Sequence, residues 1–276
     1  MKLYKDTLLI VNDYSDCLKS NNLDCFGKLL NEPVGKLIAS EPNKDVRYLS
    51  LNNSTKTKGA YLKQVSQPGY KLRKLMKGRI VDLVCTREKK MLQTLYAHKL
   101  PVMNMIAWGE RKLFGLIPVR GFILVDEVVG DEVVELFTKE SKQTRTSLMF
   151  AIGKLMGQLA NIGFYYAPRL RDFIAAENTE GTYELVMIDR EVGPKLRTCS
   201  NKKIYKFIAE SYGKMRRLNQ PLRAWESRAF VKGFYAEANN LDCSLIEFYR
   251  NCINTIIKLG ADREKYNIVL KKEAGT

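Results

Sequence analysis

Hydrophobic and polar residues change rhythm once along this chain. In the first half, short runs alternate with the period of half-buried strands; after Glu127, apolar residues recur at helical spacing. Residues 35–40 and 46–51 flank the turn Glu41-Pro42-Asn43-Lys44-Asp45. The run Ala60-Tyr61-Leu62-Lys63-Gln64 follows a second turn, so a three-stranded meander is predicted. Residues 102–108 and 119–125 predict two more strands around a loop at 109–118. Between these groups a helix is predicted over 82–99, with Asp82 as its N-cap. Residues 1–34 read as a peripheral helical extension, broken at Ser20-Asn21-Asn22 and Asn31-Glu32-Pro33. In the second half, Leu148, Ile152, Leu155, Met156 and Leu159 mark a helix over 141–163, and further helices are predicted at 202–218, 225–238 and 244–259.

One β-hairpin interrupts the helical half. Its strands are Phe173-Ile174-Ala175-Ala176 and Leu185-Val186-Met187-Ile188, joined by a polar turn. Asp172 stands just before the first strand and Asp189 just after the second. Antiparallel pairing brings both to the same open end of the ribbon. Converging carboxylates repel unless a cation sits between them, and Mg²⁺ is the usual one near phosphates. The plainer alternative is a pair of unrelated solvated turn aspartates.

A second pair points the same way. Lys63 shares a strand face with Tyr61, opposite Leu62. Glu88 shares an apolar helical stripe with Met91, Leu92 and Leu95. A carboxylate on a packing face needs a partner, as does an inward lysine. Pairing Lys63 with Glu88 satisfies both and orients the lysine toward nucleotide phosphates. Otherwise both side chains snorkel to water.

Composition narrows the classes. The 276 residues, 45% hydrophobic, suffice for a large folded body. No apolar run is long enough to cross a bilayer, and Met1-Lys2-Leu3-Tyr4-Lys5-Asp6 does not open a signal peptide, so a cytoplasmic protein is expected. The six cysteines show no metal or redox spacing, and His98 is the single histidine. A net charge of +16 calls for an anionic partner: nucleic acid, anionic lipid or phosphorylated glycan. No nucleic-acid recognition motif supports the first of these, and nucleic acid is not expected.

The motifs together resemble the bacterial lipopolysaccharide core kinases, which phosphorylate 3-deoxy-manno-octulosonic acid or heptose. The resemblance rests on Tyr61-Leu62-Lys63, Thr86-Arg87-Glu88, Leu100-Pro101-Val102 and Ile106-Ala107-Trp108-Gly109-Glu110. It continues through residues 121–127, Gly163-Phe164-Tyr165 and Val186-Met187-Ile188-Asp189-Arg190, and covers roughly residues 35–220. It implies a two-lobed, protein-kinase-like α+β fold. Residues 35–127 would form an N-lobe with a small antiparallel sheet and one main helix. Residues 128–276 would form a mainly helical C-lobe whose hairpin carries the metal site. It also implies ATP with Mg²⁺, a lipopolysaccharide core or lipid-linked sugar acceptor, and work at the cytosolic face of the inner membrane. Lys63 would bind phosphates with Glu88 as partner, and Asp189 would hold metal. The backbone of Asp126-Glu127-Val128 would meet adenine.

The chain departs from that pattern in two places. If Asp172 takes the family's second metal position, Ala167 stands where the catalytic base belongs. If Asp172 is the base, Glu177 or Asn178 must serve the metal. Without a base the reaction slows by roughly 10²–10⁴-fold, so a nucleotide-binding pseudokinase is the alternative reading. There is also no glycine-rich phosphate loop; the turn at 41–45, with Lys44 or Arg47, would have to cover the phosphates, unless it is an ordinary hairpin turn. Acceptor contacts are expected from Arg169, Arg171 and Arg190, and from the basic segment containing Lys71, Arg73 and Lys74, which also suits an anionic membrane surface.

Overall fold

The computed structural model describes residues 3–53, 56–66, 82–165, 167, 169–177, 183–189, 193, 195–216, 222–239 and 241–261. The chain divides into two compact units. The first takes in residues 1–97, 102–128 and 189–194, and the second residues 98–101, 129–188 and 195–276. The segment carrying Lys71, Arg73 and Lys74 and the residue Arg190 lie outside the described residues.

The first unit is built on a six-stranded antiparallel sheet. Its strands are β1 (Tyr4–Ile10), β2 (Lys36–Glu41), β3 (Lys44–Asn53), β4 (Lys56–Ser66), β5 (Met105–Leu113) and β6 (Ile117–Asp126), ordered β1-β5-β6-β4-β3-β2. The expected meander is β2-β3-β4. Two expectations need correction. Residues 4–10 are a strand and not a helix, because the apolar run Thr7–Ile10 pairs along β5, with Leu8 opposite Gly109 and Ile10 opposite Ala107. The residues expected as a loop at 109–118 mostly extend β5 and β6, leaving only a tight turn at Phe114-Gly115-Leu116. Glu110-Arg111-Lys112 has the charge of a loop, but its backbone is zipped between β1 and β6, and Arg111 forks onto Asp6 at 2.7 and 2.8 Å.

Each face of the sheet has its own cover. Two short helices, α1 (Ser15–Ser20) and α2 (Phe26–Asn31), place Leu18, Leu29 and Leu30 against Leu49, Leu62, Phe122 and Leu124. The helix α3 (Val84–Ala97) covers the opposite face, burying Cys85, Glu88, Met91, Leu92 and Leu95. A Cβ on Gly121 of β6 would lie 2.8 Å from Cys85 Sγ, so glycine sets how closely α3 approaches. Covering both faces explains why residues 121–126 are buried without alternation.

The second unit contains β7 (Asp131–Glu132), α4 (Val133–Lys139), α5 (Lys142–Asn161), β8 (Phe173–Glu177), β9 (Tyr183–Met187), α6 (Asn201–Arg216), α7 (Ala224–Glu237) and α8 (Leu245–Ala261). The hairpin is β8-β9, with β7 added as a third strand. Ser141 caps α5 through the Thr144 N–H. Helices α5 and α7 cross closely because Gly153 and Gly233 face backbone: a Cβ on either would sit 2.1 Å from a carbonyl oxygen, of Phe230 or Phe150. Phe207, Phe234 and Phe248 stack through the rest of this core. Among the described residues, no helix is long and apolar enough to cross a membrane.

Candidate active site

Strand register decides which side chains share a face. Lys63 pairs with Ile123 and Tyr61 with Val125, so Lys63 and Tyr61 look toward α3. The Lys63 ammonium lies 2.8 Å from Glu88 Oε1 and 2.7 Å from Asp189 Oδ1. Lys63 is 8% exposed and Glu88 0%, whereas the Asp189 side chain keeps 43% of its surface. Burial pushes the lysine's pKa down. Attraction and hydrogen bonds from Glu88 and Asp189 outweigh that and hold it above its ordinary value, so the ammonium stays charged. Asp189 has a left-handed backbone, φ +56°, which aspartate tolerates better than bulkier residues.

The motif fragments Thr86-Arg87-Glu88 and Trp108-Gly109-Glu110 meet in space. The Thr86 hydroxyl donates to Glu110 Oε1 at 2.5 Å, Lys112 reaches Oε2 at 3.1 Å, and Lys89 lies 3.7 Å over the Trp108 ring. These contacts anchor the start of α3 to β5 and so fix Glu88 beneath Lys63.

Register separates other candidates. Asp126 pairs with Ala60, so its carboxylate lies on the sheet face opposite Lys63. There Oδ2 accepts from Tyr14 at 2.6 Å and Lys58 at 3.0 Å, while Oδ1 is buried with no partner among the described residues. The Asp126 N–H donates to Asn104 O and the Glu127 N–H to Gly59 O. Of the three residues expected to form the hinge, Val128 is the one whose N–H has no such bond among the described residues. The Glu127 carboxylate takes the Tyr48 hydroxyl at 3.0 Å. In the turn region, Lys44 pairs with Val65 and faces with Lys63, but Arg47 pairs with Leu62 and faces away. Sequence reasoning missed Tyr14 and Lys58 as partners of Asp126, and Tyr48 as the partner of Glu127. A tyrosine in a short helical extension carries no signal of a contact 112 residues away.

In the second unit, Asp172 ends a 3-10 turn and its carbonyl accepts the Ile188 N–H at 2.9 Å. The chain therefore enters the ribbon at Asp172 and leaves it toward Asp189 at the same end. The Asp172 side chain, 1% exposed, accepts from the Arg169 N–H at 2.8 Å and from its guanidinium at 2.9 and 3.0 Å. Arg169 thus holds that carboxylate instead of reaching outward, whereas Arg171 is exposed. Ala167 is buried, and its carbonyl accepts from Lys214 at 2.6 Å. Asn178 and the Glu177 side chain, the ligands of the other alignment, lie outside the described residues. Among the described residues, no group of three His, Cys, Asp or Glu side chains is placed to enclose a metal.

No family model matches the chain, and no curated protein is similar to it in sequence. Among solved structures, it is similar to WaaP in complex with acyl carrier protein, with a TM-score of 0.62 and 13% identity, over 94% of this chain and 99% of that one. At that identity the likeness is one of fold. The chain has the α+β, protein-kinase-like fold implied by its resemblance to the lipopolysaccharide core kinases: a sheet unit with one main helix and a mainly helical unit with a hairpin.

Proposed function

We propose that the chain is an ATP-dependent phosphotransferase that places a phosphate on a sugar hydroxyl of the lipopolysaccharide core, a 3-deoxy-manno-octulosonic acid or heptose residue, at the cytosolic face of the inner membrane. The observation that carries this reading is the buried Lys63 ammonium held between Glu88 and Asp189. Lys63 supplies a fixed positive charge to the α- and β-phosphates, and Glu88 orients it. Asp189 is accessible enough to exchange the ammonium for a divalent cation, and its oxygens suit Mg²⁺. Mg²⁺ held there would supply charge neutralisation to the transferring phosphoryl group. Val128 offers an N–H to the base, and Arg171 offers a fork to acceptor phosphates or carboxylates. Acyl carrier protein, the partner of the solved neighbour, is a candidate partner by analogy of fold alone.

The decisive experiment incubates the protein with γ-labelled ATP, Mg²⁺ and core lipopolysaccharide lacking phosphate. Label should appear on the core and vanish with Lys63→Met and with Asp189→Asn. Transfer that survives both changes overturns the assignment.

One observation favours a second reading. The methyl of Ala167 cannot accept a proton, and the Asp172 oxygens are held by Arg169. On this reading the chain binds nucleotide and an anionic partner without turnover. Saturable, Lys63-dependent ATP binding with no transfer, unchanged in Ala167→Asp, selects it.

A further inference from the structure

The second unit carries a groove of about 810 Å³ between α5 and α7. Phe150, Ala229 and the indole of Trp225 make its floor, and Lys142, Arg228 and Lys232 stand along its rim. All three rim cations are exposed, and none has a carboxylate partner among the described residues. Two more cations crowd the same indole. Lys142, Arg145 and Arg223 lie 5.7, 5.7 and 5.9 Å from its centroid. Glu226, beneath them, is already committed: it pairs with Arg145 at 2.5 Å and accepts the Arg223 N–H at 2.6 Å. Like charges gathered this way raise one another's energy, and a bound anion relieves it.

Size and chemistry identify the class of anion. The volume is that of a small-ligand site, about 300–1,000 Å³. Nine residues line the groove, far fewer than the roughly 20–30 a side of a stable protein interface. An apolar floor beneath a cationic rim suits a molecule with an anionic head and an apolar tail. Tryptophan between the two regions is the side chain favoured where hydrocarbon meets water.

We propose that this groove binds a single anionic lipid, with its phosphate among Lys142, Arg228 and Lys232 and the start of its acyl chain over Trp225 and Phe150. The site holds whether or not the chain transfers phosphate, because no residue of the nucleotide reading takes part.

The test uses the full chain with phosphatidylcholine vesicles, with and without phosphatidylglycerol, the latter also carrying brominated acyl chains. Brominated phosphatidylglycerol should quench tryptophan emission, and the quenching should disappear in Trp225→Phe, which keeps Trp108. Arg228→Glu with Lys232→Glu should weaken vesicle binding by roughly tenfold or more. Lys202→Glu with Lys258→Glu, the same charge change outside the groove, should have a far smaller effect. Equal weakening by the two double variants, or binding without quenching at Trp225, overturns the proposal. Displacement of Trp225 emission by soluble polyglutamate, with no bromine quenching, also overturns it and assigns the groove to an acidic protein.

Discussion

The Lys63 ammonium lies 2.7 Å from Asp189 Oδ1, although 126 residues separate them in sequence. The same ammonium holds Glu88 at 2.8 Å, so one cation serves two carboxylates of unequal exposure. Removing the cation should therefore have two separable effects. Lys63→Met removes the ammonium paired with the buried Glu88 carboxylate and should destabilise the fold by about 3–5 kcal/mol. Adding Glu88→Leu should recover most of that loss, because an apolar pair needs no counter-charge. Urea unfolding of the single and double variants measures the recovery, and nucleotide titration should show no binding in either.

Asp189→Asn should behave differently. Its side chain is half in water, so the loss of its ion pair should cost less than about 1 kcal/mol. Binding of Mg²⁺-ATP should fall at least tenfold while metal-free nucleotide binding changes little. Calorimetric titration with and without Mg²⁺ separates the two. Equal losses in both conditions would remove Asp189 from the metal role.

Tyr14→Phe deletes the 2.6 Å hydrogen bond to Asp126, a buried carboxylate whose other oxygen already lacks a partner among the described residues. A loss of about 1–3 kcal/mol is expected. Denaturant melts read the loss, and protease cleavage within residues 11–34 should speed up in parallel.

Gly153→Ala and Gly233→Ala each drive a methyl to within 2.1 Å of a carbonyl oxygen on the facing helix. Neither backbone can yield without separating α5 from α7, so each variant should lose about 1–3 kcal/mol. Gly27→Ala, on α2, meets no atom within 4 Å and should be neutral or stabilising. Thermal melts of the three variants rank them.

Alkali should weaken the fold. Burial pushes the Cys85 and Cys252 thiols up to about 12. The unfolded thiol titrates at about 8.5, so their contribution is complete below that value and is lost as pH climbs toward 12. Lys63 adds to the same trend at higher pH. Burial lowers its pKa, but Glu88 and Asp189 raise it further, so the folded chain keeps a proton that the unfolded chain releases above about pH 10.4. Calorimetry should give a level melting temperature from about pH 6 to 8 and a steady fall above about 8.5. A melting temperature that rises between those limits contradicts the assignment.

Lys63 and Glu88 were legible in sequence because each breaks a pattern. One is a charge on an inward strand face, and the other a charge within an apolar helical stripe. Asp189 was legible as the residue that leaves a hairpin. Strand β1 was not, because the run around Leu8 is too short to declare its period. It becomes a strand by pairing with residues 105–113. The side of the sheet on which Asp126 lies follows from its register with Ala60, which no local spacing reveals. The crossing of α5 and α7, and with it the groove at Trp225, depends on which glycines face each other across two helices distant in sequence.

The added strand at the margin of the sheet has a practical consequence. Residues 4–10 hydrogen-bond along β5, and Tyr14 ties the following turn to Asp126. A version trimmed to begin at residue 35 would expose the whole rim of β5 and uncover Leu62, Phe122 and Leu124 at once. Bare backbone beside fresh apolar surface is what drives sheets to stack on one another. Such a truncation should clump, so its inactivity would say nothing about the chemistry of Lys63.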